Sequence, residues 1–137
     1  MFRVVLDTNV LVSALRSRRG ASFALLSLLG EEAFEITLSV PLVLEYEDVL
    51  LRDIAASPFS EDDVRTLIDY LCDVGFRQEI FFLWRPFLRD QKDDHVLELA
   101  VAAQCRVVTH NIRDFSGAER FGVEVMTPGK FLHLLKE

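Results

Sequence analysis

Short apolar segments separated by helical patterns constrain this chain more than any other feature. Phe2–Leu6 (FRVVL) is an apolar run broken only by Arg3, and Phe34–Leu38 (FEITL) is rich in β-formers. RVVT at 106–109 and VEVM at 123–126 read as two further short strands. Between them, apolar residues recur at helical spacing over 10–15 and 22–29, punctuated by Gly20 and Gly30. Ser39 and Pro41 open a third helical pattern that runs to about Ile54, with Ser39 as the cap. Ser60 followed by Glu61, Asp62 and Asp63 starts a fourth, reaching about Asp73. Residues 79–84 read as a strand or an extended approach to Pro86, residues 93–104 as a helix, and Pro128 opens the last helix. Helices alternating with short buried strands predict a parallel sheet covered on both faces. The expected fold class is therefore α/β, one domain over 1–137.

In such a sheet, ligands gather beyond the carboxyl ends of the strands. Asp7-Thr8-Asn9 interrupts the apolar run at that end of the first strand, and His110-Asn111 follows the 106–109 strand. A carboxylate buried there costs several kcal/mol unless hydrogen bonds or a cation compensate it. Glu45, Asp93, Asp94 and Asp114 can reach the same rim if the sheet forms as drawn. Like charges raise one another's pKa, so a cluster of this kind calls for cations. Oxygen-rich acid clusters suit Mg²⁺ or Mn²⁺, and paired ions of this class, roughly 3.5–4 Å apart, cleave phosphodiesters by activating water and steadying the leaving oxygen.

Composition excludes several classes. Half of the 137 residues are apolar, so disorder is excluded. No apolar run approaches the roughly 20 residues of a membrane span, and no leader pattern is visible, so a cytoplasmic protein is expected. Cys72 and Cys105 are far apart in sequence and are expected to be buried, reduced thiols. His95, His110 and His133 show no paired metal spacing, no serine has a partnered base, and the six glycines form no phosphate loop. The net charge of −7 argues against a general electrostatic grip on nucleic acid, though not against phosphate chemistry through a bound metal.

Three segments carry a family resemblance. VVLDTNVLVSAL, beginning at Val4, closely resembles the opening motif of PIN domains. SVPLVLEYEDVL resembles the family's second segment, and KDDHVLELAVAAQCRVVTHNIRDF its third and fourth. The likeness covers nearly the whole chain. It is strongest to the toxin components of prokaryotic toxin–antitoxin systems, of the VapC-like kind. It implies a three-layer α/β/α sandwich with a mostly parallel central sheet, and an endoribonuclease dependent on Mg²⁺ or Mn²⁺.

The resemblance implies metal ligands at Asp7 and Glu45, with Asp93 third and Asp94 a close alternative. The fourth position departs from the pattern: Asn111 stands where many members carry an acid, so Asp114 is expected to serve, with Asn111 as a polar helper. Thr8, Asn9 and Thr109 are placed to orient the carboxylates or the attacking water. The resemblance also implies a homodimer and an antitoxin partner, a small DNA-binding protein whose tail covers the acidic pocket.

Basic residues crowd near these segments. Arg16, Arg18 and Arg19 follow the first motif, Arg85, Arg89 and Lys92 precede Asp93, and Arg113 precedes Asp114. They are candidates for a local RNA track.

Each acid also has an ordinary structural use, as a helix cap (Asp7, Asp93), a solvated helix face (Glu45) or a turn former (Asp114). Two other functions remain open at this point. One is a PIN-like module that binds RNA or protein and cuts weakly or not at all. The other is a flavodoxin-like phosphate-binding regulator, which leaves Glu45 and Asp114 unexplained.

Overall fold

The computed structural model describes residues 1–80 and 93–137. Its centre is a five-stranded sheet in which every pairing is parallel. The strands are β1 (Phe2–Leu6), β2 (Phe34–Leu38), β3 (Phe76–Arg77), β4 (Arg106–Val108) and β5 (Val125–Met126), in the spatial order β3-β2-β1-β4-β5. The helices are α1 (Thr8–Arg16), α2 (Ala21–Ser27), α3 (Val40–Arg52), α4 (Glu61–Val74), α5 (Asp94–Ala103) and α6 (Pro128–Leu135).

β1 is central because it is apolar on both faces. Val4, Val5 and Leu6 are all buried although successive side chains point to opposite faces, so the sheet is covered on each side. Register fixes its neighbours: Val4 lies opposite Ile36 on one side and Arg106 on the other, and Leu6 lies opposite Val108. α5 packs on β1, β2 and β4, and also touches α3.

The caps follow from local chemistry. Ser39 Oγ accepts from the Leu42 N–H at 3.2 Å, with proline in the first turn of α3. Ser60 and Asp63 form a reciprocal capping box at the start of α4. Thr127 caps α6 just before Pro128.

The sequence expectations hold for the strands at 2–6 and 34–38 and for the helices. The strand expected at 106–109 ends at Val108, and that expected at 123–126 shortens to Val125–Met126. The third helical pattern ends at Arg52, where a 3₁₀ turn, Ile54–Ala56, takes over. The edge strand is Phe76–Arg77, ahead of the segment expected at 79–84. Glu79 and Ile80 are not in a strand, and 81–84 lie outside the described residues. Cys72 is exposed on α4 and Cys105 half-buried after α5, so the expected pair of buried thiols is corrected, though both are free. Among the described residues, no helix is long and apolar enough to cross a membrane.

Candidate active site at the β1/β4 junction

The chain crosses from β1 outward to β2 and β3, then returns to place β4 and β5 on the other side of β1. Neighbouring β1 and β4 thus send their following segments in opposite directions, which opens a crevice at their carboxyl ends. Asp7 follows β1 and Thr109 follows β4. The ladder continues into the crevice, since the Asp7 N–H donates to Val108 O and the Thr109 N–H to Met126 O, each at 2.9 Å.

Asp7 is only 6% exposed and also caps α1. Its Oδ1 accepts from the Thr8 N–H at 2.9 Å. Its Oδ2 accepts from the Thr109 hydroxyl at 2.8 Å and from Asn9 Nδ2 at 3.2 Å. Asn9 also reaches Thr109 Oγ1 at 3.2 Å and accepts from the His110 N–H at 3.1 Å, while the Asn111 N–H donates to Thr109 Oγ1 at 3.0 Å. The supporting residues Thr8, Asn9, Thr109 and Asn111 thus form one network around Asp7.

Glu45 enters from the second turn of α3. It accepts the Thr8 hydroxyl on Oε2, and Oε1 lies 3.2 Å from His95 Nε2 on α5. Thr8 therefore ties the two acids together, its main-chain N–H on Asp7 and its hydroxyl on Glu45. Burial is the largest cause pushing the Asp7 carboxyl above its ordinary range, and the charge of Glu45 adds to it. The Thr109 and Thr8 hydrogen bonds and His95 act in the opposite direction and do not cancel the rise. A cation would offset the negative charge that burial and Glu45 disfavour here.

The remaining expected ligands are placed unequally. The C-terminus of α5 leads directly into the amino end of β4, so its N-terminus lies at the carboxyl edge. There Asp94 is 1% exposed, while Asp93, just before the helix, is half-buried with no side-chain capping bond. Asp114 sits half-buried in a 3₁₀ turn, Ile112–Phe115, anchored by buried Phe115. The charge of Glu45 bears on Asp7 and helps raise its carboxyl. No group of three or more His, Cys, Asp or Glu side chains among the described residues is arranged to hold a metal ion. Asp7 and Glu45, tied to each other through Thr8, nevertheless offer carboxylate oxygens, the donor type that a hard divalent cation takes.

Of the basic candidates, Arg16 is committed to Asp53, with Nε 3.0 Å from Oδ2. Arg18, Arg19 and Arg113 are exposed, and Arg85, Arg89 and Lys92 lie outside the described residues. Two contributors carry no sequence signal of their own. Tyr46, adjacent to Glu45, is fully buried and donates its hydroxyl to Leu6 O, at the base of Asp7. His95 touches Glu45 while its Nδ1 is buried without a hydrogen-bond partner among the described residues.

Comparison with known proteins bears on these features. A family model described as a PIN domain matches residues 3–113. No curated protein matches the sequence. Among solved structures, the chain is similar in fold to one in VapBC2 from Rickettsia felis bound to promoter DNA, with TM-score 0.63 and 16% identity over 92% of this chain and 98% of that one. It is similar to one in VapBC-1 from nontypeable Haemophilus influenzae, with TM-score 0.64 and 14% identity over 93% and 99%. A chain of FitAB bound to a DNA fragment gives TM-score 0.61 and 16% identity over 91% and 94%.

Proposed function

Since the chain belongs to the PIN domain family, we propose that it is a metal-dependent endoribonuclease that hydrolyses RNA phosphodiester bonds, the toxin of a type II toxin–antitoxin pair. Asp7 and Glu45 would hold Mg²⁺ or Mn²⁺, joined by a third carboxylate from the head of α5. Asp93, half-buried just before the helix, and Asp94, buried in its first turn, are the two candidates for that place. Asp114 is the candidate for a fourth. A divalent ion bound there supplies acidity to water and stabilises charge on the departing oxygen.

The chain's own residues supply the positioning. Thr109, Asn9 and the Thr8 N–H hold the Asp7 carboxyl by hydrogen bonds to both of its oxygens. Thr8 and His95 hold Glu45 from two sides. Tyr46 anchors the strand end from which Asp7 projects. Such a prearranged site needs no covalent enzyme intermediate, because water is the nucleophile.

The observation that supports this reading most is the pairing of a buried, pushed-up Asp7 with Glu45 at the crevice between β1 and β4. The test is cleavage of structured and unstructured RNA by the full chain, with Mn²⁺ or EDTA, beside Asp7→Asn. Cutting that both EDTA and the substitution abolish supports the nuclease. Persistent cutting in EDTA would overturn it.

VapBC2 and FitAB are seen bound to DNA. That likeness supports a small DNA-binding antitoxin as this chain's partner. A homodimer and a cytoplasmic location complete the proposal.

A second reading has an observation of its own. Asn111, exposed after β4, stands where many family members carry an acid. A PIN-like module that binds RNA or protein without cutting would show affinity for metal or RNA and no cleavage.

A further inference from the structure

His110 is an exposed histidine whose ring and backbone are both held. Its main-chain N–H donates to Asn9 Oδ1, and Asn9 in turn touches Asp7. Its Nε2 lies 2.8 Å from the hydroxyl of Ser22, on α2 and 88 residues away in sequence. Ser22 is only 2% exposed, and its hydroxyl makes no other hydrogen bond among the described residues. The ring is thus tied to a helix outside the Asp7 network, while the backbone is tied to that network.

Burial decides where the protons go. A buried hydroxyl hydrogen without an acceptor is costly, and a neutral imidazole carries one donor and one acceptor nitrogen. In the neutral ring, the tautomer that gives the buried Ser22 hydroxyl an acceptor has Ser22 donating to Nε2 and the ring proton on Nδ1, on the side of the ring away from Ser22. That donor belongs to an exposed residue one position from Thr109 and bonded through its backbone to Asn9. In an acidic chain, an N–H donor of this kind meets phosphate without depending on the overall charge. Polar side chains and backbone N–H groups commonly set the register of nucleic acid in this way.

We propose that His110 contacts the RNA backbone, with Nδ1–H donating to a non-bridging oxygen of the phosphate next to the one cut, and that Ser22 is the residue that positions the ring. The inference rests on the ribonuclease reading and deepens it. No bond is made or broken by His110.

The test uses the full chain and a fluorescein-labelled single-stranded RNA. Binding is followed by anisotropy in an Asp7→Asn background with Mn²⁺, and cleavage kinetics are measured separately with Asp7 intact. His110→Ala is expected to weaken RNA binding about tenfold and raise KM by about the same factor, with kcat and thermal melting little changed. His110→Gln keeps an amide near Nε2 for Ser22 but has no donor at the Nδ1 position, so it is expected to behave like His110→Ala. His110→Asn puts an amide nitrogen near that position and is expected to recover most of the affinity. Ser22→Ala is expected to raise KM several-fold without changing kcat, and Ser22→Thr to restore it. Unchanged affinity and KM in His110→Ala and His110→Gln would overturn the assignment while the ribonuclease reading stands. A fall in kcat at constant KM would also overturn it, because the group would then act on the chemistry. A chain that neither binds nor cuts RNA would overturn both.

Discussion

The Thr8 hydroxyl donates to Glu45 across 37 residues of sequence, while the Thr8 main-chain N–H donates to Asp7. One residue therefore sets the spacing of the two acids. Thr8→Val keeps the shape and the main-chain bond but removes the hydroxyl. Loss of a partner that orients a metal-binding carboxylate typically costs about 10–100-fold in affinity or activity. We expect Thr8→Val to lower kcat/KM by about that factor with native far-UV circular dichroism, and Thr8→Ser to retain most of the activity. Wild-type rates in Thr8→Val would show that Glu45 needs no such support.

Asp7 predicts a stability effect whose sign is opposite to its effect on function. Its folded carboxyl lies above the ordinary value of 3.8, mainly through burial and then through the charge of Glu45. The folded state thus binds more protons than the unfolded one between 3.8 and the raised value. Stability from this group is retained below that window and lost as pH rises through it. Asp7→Asn removes the loss. Without metal, the variant is expected to melt above the wild type at neutral pH, with the gap closing as pH falls through the window. Melting curves in EDTA across acidic and neutral pH check this, and a variant less stable than wild type at neutral pH would contradict it.

Metal should reverse that order. A ligand held by the folded state alone stabilises it by about 2.7 kcal/mol at a hundredfold excess over its dissociation constant. Mn²⁺ is expected to raise the melting temperature of the wild type, and to have little effect on Asp7→Asn or Glu45→Gln. This readout needs no RNA and separates a metal site from a purely structural acid pair. An equal rise in all three proteins would place the ion elsewhere.

How much of this was legible depends on where the information lies. β1 and Asp7 could be read directly, because an apolar run that stops at Asp7-Thr8-Asn9 has few other uses in a parallel sheet. The edge strand Phe76–Arg77 could not. It is two exposed residues, held by register with Thr37 and Leu38 and by the Gln78 N–H on Leu38 O, and the more apolar stretch after it carried the stronger local signal. Adjacent Asp93 and Asp94 are indistinguishable by composition. Helix phase separates them, burying Asp94 and leaving Asp93 half-exposed. The Ser22–His110 and His95–Glu45 contacts join residues 88 and 50 apart, and only the folded topology brings them together.

Tyr46 reads in sequence as one more apolar helix position, yet its hydroxyl donates to Leu6 O in the core beneath Asp7. Tyr46→Phe keeps the ring and removes that bond. Losing one buried hydrogen bond is expected to cost about 1–2 kcal/mol, read as a lower denaturation midpoint at unchanged slope. The Tyr46 hydroxyl titrates well above the ordinary value of 10.0, through burial first and then the charges of Asp7 and Glu45. The folded state therefore keeps this proton where the unfolded state releases it. The stability from keeping it protonated is full below 10.0 and declines as pH rises above it. Alkaline denaturation should then be less steep in Tyr46→Phe than in the wild type. Identical alkaline profiles would mean that this hydroxyl is not the buried donor at the strand end.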